Sequence, residues 1–390
     1  MNLVWTGLTW TGLIRTDLVR NSPVQWIIWA VVAAALPAVA QVVPRVELYT
    51  TYSDNVFQNV NQRSDWITQA NIDFDWSPTG ALNLYYSGNA NVFSEFSDLF
   101  NHTHGMGLTY QRPGEGRDLF YAGGEVALRL DQPDYAYREF VEASGFANYK
   151  TYWGDALLAR ASYTVRLQEY LNASEYSFAE QSAFVQVSRF LPSRTTLQAG
   201  AELGLKTYLR DAGALTDGVE ARAGNGRNLI QWVGRAKLAQ ALASSAGLQA
   251  EYVLRTNLSG SSRFADTQLY NPDDDLFDDR FAYEGHRART KLKYLAGASV
   301  LLQAGASWEK RRYPGRPALD LDGFLLDSQA SRRDTRRSLS LEAGRSFFPV
   351  TGLASELRLS FEWRYTDTDS NDPYYDAGAQ SYSLGLNLDF

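Results

Sequence analysis

Apolar and polar residues alternate along most of this chain, from residue 45 onward. Between residues 195 and 206, the apolar residues Leu197, Ala199, Ala201, Leu203 and Leu205 occupy every second position, with polar residues or glycine between them. A period of two is the pattern of a β-strand, because successive side chains point to opposite faces. The pattern therefore predicts strands with one apolar and one polar face.

Sixteen segments follow this pattern, and the connections between them alternate in length. The predicted strands span residues 45–52, 66–76, 81–93, 105–111, 118–130, 139–150, 156–168, 177–190, 194–209, 228–241, 246–258, 280–295, 299–312, 334–347, 353–366 and 378–390. Connections after even-numbered strands are tight, such as Ser77-Pro78-Thr79-Gly80, whereas those after odd-numbered strands are longer and polar, such as 211–227 and 259–279. A soluble β-sandwich usually has short connections at both ends, so this asymmetry favours another architecture.

The architecture that fits is a closed antiparallel transmembrane β-barrel. An even number of amphipathic strands, with short turns at one end and long loops at the other, is typical of bacterial outer-membrane barrels. The bilayer core cannot solvate an open strand edge, so a sheet that spans it must close. We predict an all-β barrel of about 16 strands, with short periplasmic turns and longer extracellular loops.

The first forty residues have the features of an export signal. Arg15 and Arg20 precede an apolar run over residues 26–40, which ends in Ala38-Val39-Ala40. Basic residues, a short apolar stretch and a small-x-small site define a secretory signal peptide. We predict a signal peptide over residues 1–40 and an outer-membrane barrel over residues 41–390; an N-terminal anchor helix is the alternative.

The last predicted strand is amphipathic and ends on an aromatic residue. Tyr382, Leu384, Leu386, Leu388 and Phe390 share one face of this strand. A terminal Phe of this kind resembles the assembly signal of Gram-negative outer-membrane proteins. The resemblance implies that Phe390 is read by the barrel-insertion machinery, with outer-membrane lipids as the other partner and the cell outer membrane as the location.

A narrower resemblance begins at Tyr52-Ser53-Asp54-Asn55-Val56-Phe57 and continues through Ser64-Asp65 to the strand 66–76. This opening resembles a family of uncharacterised outer-membrane barrel proteins that occur with exopolysaccharide production systems. The resemblance covers about the first 50 residues after the signal. It implies polysaccharide as a candidate partner, and it carries over no catalytic residue.

Composition removes several other classes of function. The chain has no cysteine, so it has neither disulfides, a cysteine zinc site nor a thiol nucleophile. Aromatic residues make up 13% of it and glycines number 30, as expected of a chain rich in strands and turns. The formal net charge of −7 argues against a nucleic-acid partner.

The polar face of the predicted strands carries many basic residues, most of all on the twelfth strand. Those expected to line the lumen are Arg235, Lys237, Arg255, Arg287, Arg289, Lys291, Lys293, Arg311, Arg358 and Arg364. Glutamates are interleaved with them, so one interpretation is a salt-bridged wall. The other is a basic track for anions, because a low-dielectric wall focuses the field of uncompensated cations.

The first strands instead present amides and carboxylates on their polar face. They are Gln69, Asn71, Asp73, Asp75, Asn83, Asn89 and Asn91. Such groups suit hydroxyl-rich ligands or water. Small inward residues such as Gly200, Gly204, Gly305, Gly344 and Gly385 argue for an open lumen.

We therefore predict an outer-membrane channel or export pore, with anionic polysaccharide or other anionic solutes as candidate cargo. The alternative is a structural or adhesive barrel without an open pore, whose interior would be filled with bulky side chains. We expect no enzyme activity and no cofactor.

Metal binding is not expected either. The acidic stretch 271–279 lacks EF-hand spacing, so a solvated loop is favoured over a Ca²⁺ site. His102 and His104 are expected in the second outer loop, on one side of an extended segment, and His286 near the outer end of the twelfth strand. Without a third ligand in view, the pair is interpreted as a polar surface pair.

Overall fold

The predicted strands form a single closed sheet. A computed structural model describes residues 42–114, 116–210, 221–222, 227–265, 279–297, 299–326, 330–348 and 355–390. The barrel strands are β1 Val42–Ser53, β2 Asp65–Trp76, β3 Leu82–Phe93, β4 Asn101–Pro113, β5 Leu119–Asp131, β6 Phe140–Trp153, β7 Leu157–Tyr170, β8 Phe178–Leu191, β9 Thr195–Tyr208, β10 Asn228–Ala241, β11 Ala246–Ser259, β12 Glu284–Ala296, β13 Val300–Pro317, β14 Ser331–Phe347, β15 Glu356–Ser370 and β16 Ala377–Asp389.

Each strand pairs with its neighbours in sequence, and the two ends of the sheet meet. β1 pairs antiparallel with β16, with Leu48 opposite Leu386 and Tyr52 opposite Tyr382. The result is the closed 16-stranded barrel that the alternation predicted. Closure leaves no unpaired edge, which is what a spanning sheet requires.

The two ends of the barrel differ as predicted. Tight turns close the end that holds the start of β1, and Gly154 adopts a φ of +68° in the turn between β6 and β7. We call this the short-turn end. The opposite, long-loop end carries 3-10 turns at Ser97–Leu99, Pro133–Arg138, Ser174–Tyr176 and Pro373–Tyr375. It also carries a two-residue ribbon in which Ala221 pairs with Ala265.

The side chains divide between the two faces of the wall. A groove of about 370 Å³ is lined mainly by apolar side chains such as Leu292, Tyr294 and Phe361, which belong to the outer face. A concavity of about 600 Å³ is lined mainly by polar side chains such as Arg160 and Glu202, which face the lumen. Apolar groups on the outer face remain accessible, as for Leu384, which is 63% exposed. In a closed barrel such a surface faces lipid.

None of the helices in the described ranges is long and apolar enough to cross a membrane. Residues 1–40, for which a signal peptide is predicted, lie outside the described residues, so that prediction stands untested.

Candidate functional site: the barrel lumen

The lumen differs between its two halves. On β9, the inward residues Glu202, Gly204, Lys206 and Tyr208 are buried, whereas Gln198, nearer the short-turn end, is only half-buried. On β7, Gln168 and Tyr170 are buried at the long-loop end, and Arg160 is exposed near the other end. The long-loop half is therefore packed with side chains, and the short-turn half is accessible to water.

Aromatic residues form the packing at the long-loop end. We call this group the mouth cluster: Tyr170, Ala173, Tyr176, Phe178, Tyr208, Leu229, Phe281 and Tyr375. β7 to β9 lie on the opposite side of the barrel from β15 and β16, so the cluster joins residues from opposite walls. Loops from both sides thus fold inward and meet across the barrel mouth.

The inward loops are held by specific contacts. The Asn59 side chain, in the β1–β2 loop, donates to the Tyr374 hydroxyl at 2.9 Å. Arg263 donates its backbone N–H to the Tyr208 hydroxyl at 3.0 Å, and its guanidinium stacks over the same ring at 4.2 Å. Burial raises the pKa of Tyr176 and raises the pKa of Tyr374 to about 12, so both hydroxyls stay protonated at neutral pH.

Residues 279–283 enter the barrel and contact the inward side of β9 at Lys206, Gly204 and Glu202. Asp279 forms a buried ion pair with Lys206, and the Asp279 carboxylate also accepts from the Ser262 hydroxyl at 2.9 Å. Arg280 pairs with Glu202 and with Glu180. We call residues 279–283 the plug segment and the Asp279–Lys206 pair its latch.

Gly204 makes room for this segment. A Cβ at Gly204 would lie 3.0 Å from Cζ of Phe281 and 3.2 Å from the Arg280 guanidinium. At Gly385, a Cβ would lie 2.7 Å from the Tyr49 ring. The expectation that inward glycines mark open space is therefore wrong at these positions, because neighbouring side chains occupy the space that the missing Cβ leaves.

Half of the predicted pore-lining cations are neutralised by glutamates. The pairs are Arg235–Glu202 at 2.7 Å, Arg287–Glu251 at 3.5 Å, Arg311–Glu309 at 3.0 Å, Arg358–Glu342 at 3.6 Å and Arg364–Glu362 at 2.6 Å. Arg255 lies with its guanidinium 5.3 Å from the centre of the Tyr283 ring, beside the plug segment. The salt-bridged interpretation thus describes these positions.

The remaining cations lie toward the short-turn end. Among the described residues, none within 4 Å supplies a carboxylate to Lys237, Arg289, Lys291 or Lys293. Lys291 lies between Gln249 and Gly305 on the adjacent strands, and Lys293 lies between Gly247 and Gln303. We call Arg289, Lys291 and Lys293 the open row.

A second concavity, of about 220 Å³, lies beside the open row. Arg289, Lys291 and Arg364 line it together with Glu342 and Glu362, and serines complete its wall. Its charges are mixed, with three cations against two carboxylates. The excess of positive charge around this concavity therefore comes from Arg289 and Lys291 of the open row, since Arg364 is paired with Glu362.

The opposite wall, formed by the first strands, carries a ladder of amides. Asn89 donates to Asn71 at 2.5 Å, and Asn91 donates to Asn89 at 2.8 Å and to Asn101 at 3.0 Å. Asn71 donates in turn to Glu47 at 3.3 Å. The predicted amide and carboxylate groups therefore lie together on one face.

The histidines lie on the outer face of the barrel. Nδ1 of His102 is 3.0 Å from Nε2 of His104, and the Tyr86 hydroxyl is 2.7 Å from Nδ1 of His104. His286 contacts the Tyr252 hydroxyl at 2.6 Å. His102 and His104 contact each other as predicted, but both lie within β4 rather than in the second outer loop. The described residues contain no group of three or more His, Cys, Asp or Glu side chains that could hold a metal ion.

Two further sequence predictions concern the loops and the last residue. The acidic stretch lies outside the described residues except for Asp279, which serves as the latch. Phe390 follows β16, is 46% exposed, and donates its N–H to the carbonyl of Pro44 at 3.3 Å. Its role in assembly stays a prediction.

Comparisons with known proteins show a similar fold and no similar sequence. Neither a protein-family model nor a curated protein matches the sequence. Among solved structures, a bacterial polysaccharide outer membrane secretin is 9% identical with a TM-score of 0.51, over 89% of this chain and 98% of that one. OccK2 (OpdF) of Pseudomonas aeruginosa is 10% identical with a TM-score of 0.51, over 90% and 98%. By its fold and apolar exterior, the chain is an outer-membrane β-barrel protein.

Proposed function

We propose that this protein is an outer-membrane channel for anionic solutes, with export of an anionic polysaccharide as the favoured setting. The observation that carries the proposal is the open row in the water-accessible half of the lumen. Its three cations lie about 7 Å apart along one strand, within the screening length of physiological salt, about 8 Å. Such a row acts on a passing anion as a continuous field.

Conduction requires weak and repeated binding, which suits a row of solvated cations better than a tight site. The paired arginines contribute less to the field that acts on a passing anion, because a neighbouring glutamate compensates the charge of each. The solved structure with a similar fold is that of a bacterial polysaccharide outer membrane secretin. That name and the resemblance of residues 52–76 both favour a polysaccharide cargo.

The mouth cluster favours a second candidate, a structural or adhesive barrel without an open pore. Bulky side chains from opposite walls fill the long-loop half, as that alternative requires. In the channel proposal, the same cluster is a closed gate that must rearrange before a large solute passes.

Reversal potentials in planar bilayers under a salt gradient test the channel. Replacing Arg289, Lys291 and Lys293 together by Gln is expected to shift the selectivity toward cations. The matched control is the double variant R287Q/E251Q, which removes a paired cation with its partner and leaves the net charge unchanged. Equal shifts in both variants, or none in either, would contradict the role of the open row.

If the wild type shows no conductance, the next variant to measure is Asp279→Ala, which removes the latch. If that variant conducts, the wild-type barrel is a gated channel and the selectivity test is made in this background. If neither form conducts, the structural barrel is the correct function.

A further inference from the structure

Two aromatic rings lie flat on the lumen wall, on the side away from the open row. A Cβ at Gly107 on β4 would lie 2.4 Å from Cζ of Tyr85 on β3. A Cβ at Gly123 on β5 would lie 2.8 Å from Cζ of Phe146 on β6. Each ring therefore rests on the backbone of the adjacent strand, in space that only glycine leaves free.

A third ring joins them. The centres of the Tyr121 and Phe146 rings are 5.1 Å apart, with an interplanar angle of 41°. The Tyr85 hydroxyl donates to Oε2 of Glu125 at 2.8 Å, which fixes that ring in place across β4. We call Tyr85, Tyr121 and Phe146 the aromatic patch.

The patch keeps its rings accessible from the lumen. All three residues are half-buried, with the strand backbone covering part of Tyr85 and Phe146. Hydrogen-bonding groups lie beside the rings: Asn83, which donates to Asp75 at 2.8 Å, and Asn148, which accepts from Arg160 at 3.0 Å. Flat apolar surfaces with a polar border thus face a water-accessible space.

Covering glycines is one use of such rings, since aromatic side chains stabilise a sheet by packing over them. That use does not account for Tyr121, because no described glycine has its ring among the nearest contacts of its added Cβ. Nor does it account for the amides and carboxylates beside the patch, namely Asn83, Asn148, Asp75 and Glu125. A binding surface accounts for both features.

A pyranose ring is the ligand whose chemistry matches this surface. Its C–H groups form an apolar face that packs on an aromatic ring, and its hydroxyls lie around the edge, where they bond to amides and carboxylates. A small inorganic anion has no apolar face to stack. Across the sheet, β4 is opposite β12, so this wall and the open row offer separate surfaces.

We infer that the aromatic patch of Tyr85, Tyr121 and Phe146 binds the hexopyranose units of a glycan chain in the lumen. The inference deepens the proposed export function, on which it rests, by assigning the wall that holds the sugar rings. Ring stacking is independent of the charge on the sugar, so an uncharged oligosaccharide is the probe that isolates it.

The experiment is calorimetric titration of the detergent-solubilised full-length barrel with cellopentaose. The wild type is expected to bind, and Tyr121→Leu is expected to weaken binding by about threefold to tenfold, the effect of one aromatic contact. The Tyr121 ring is not among the nearest contacts of any described glycine, so this variant is expected to keep the wall intact. The double variant Y85L/F146L is expected to weaken binding further.

Matched controls separate stacking from folding. Tyr149→Leu removes a ring from the outer face of β6, where Tyr149 is 46% exposed, and should leave the affinity unchanged. Phe146→Tyr should retain binding, and circular dichroism establishes that each variant is folded. Absence of wild-type binding, or equal affinity for wild type and Tyr121→Leu, would overturn the inference.

The test is separable from that of the channel, because binding in detergent needs no conductance. Replacement of the open row by Gln is expected to leave cellopentaose affinity unchanged. Loss of cellopentaose binding in that variant would place the sugar on the other wall and refute the patch. If the open-row variant loses anion selectivity but still binds cellopentaose, the result bears on the proposed channel and leaves the aromatic patch unaffected.

Discussion

The two halves of the lumen stabilise their charged side chains in different ways. In the long-loop half, Lys206 is paired with Asp279 and covered by the mouth cluster, and its ammonium lies 3.9 Å from the Phe178 ring centre. In the short-turn half, Lys291 and Lys293 have no described carboxylate partner within 4 Å. Charges removed from water need a partner, whereas charges in contact with water do not. The long-loop half therefore serves packing, and the solvated short-turn half is available for ligands.

The largest expected effect comes from breaking the latch. Asp279→Ala leaves the Lys206 ammonium buried without its partner, which typically costs about 3–5 kcal/mol. We expect the plug segment to undock, conductance to rise, and trypsin to cleave after Arg280.

The control is Glu284→Ala, which removes the partner of Arg312. That arginine side chain is 56% exposed, so the change should cost less than about 1 kcal/mol and leave the plug docked. Wild-type conductance and cleavage in Asp279→Ala would show that packing alone holds the segment.

Filling the space beneath the plug segment should expose that segment less than breaking the latch does. Gly204→Leu places side-chain atoms where the Phe281 ring and the Arg280 guanidinium lie, and overpacking typically costs about 1–3 kcal/mol. We expect faster tryptic cleavage after Arg280 than in the wild type, but slower cleavage than in Asp279→Ala.

Gly344→Leu is the matched substitution in the solvated short-turn half. There the nearest atom to an added Cβ is 3.4 Å away, at the end of the flexible Arg358 side chain. Its cleavage rate should equal that of the wild type. A slower or unchanged rate in Gly204→Leu would mean that the segment repacks around the new side chain.

Raising the salt concentration should affect the two halves differently without any mutation. This is the smallest of the expected effects. The screening length falls from about 10 Å at 0.1 M to about 3 Å at 1 M, which is shorter than the spacing of the open row. We expect the ratio of chloride to potassium permeability to fall over this range. Tryptic cleavage after Arg280 should not change, because the latch is buried. A constant permeability ratio would show that the open row does not set the selectivity.

Much of this fold was determined locally, by alternation along each strand. A period of two assigns Leu203 to the lipid face and Glu202 to the lumen wherever the strand is placed. Turn residues such as Gly154 set where each strand ends, and an even count of amphipathic strands in lipid can only close. These are properties of neighbouring residues and of the solvent, so the sequence predicts the barrel and the inward position of the basic residues.

The state of the lumen was decided by contacts between distant residues. Asn59 and Tyr374 are 315 positions apart, and Lys206 and Asp279 are 73 apart, yet each pair meets at the barrel mouth. Strand register places Gln303 and Gly305, rather than a carboxylate, beside Lys293 and Lys291. Alternation fixes the face on which a side chain lies but not its partner across the lumen, because that depends on the stagger of the closed sheet and on how the loops fold into it. The separation of a packed mouth from a solvated basic wall therefore follows from the tertiary structure alone.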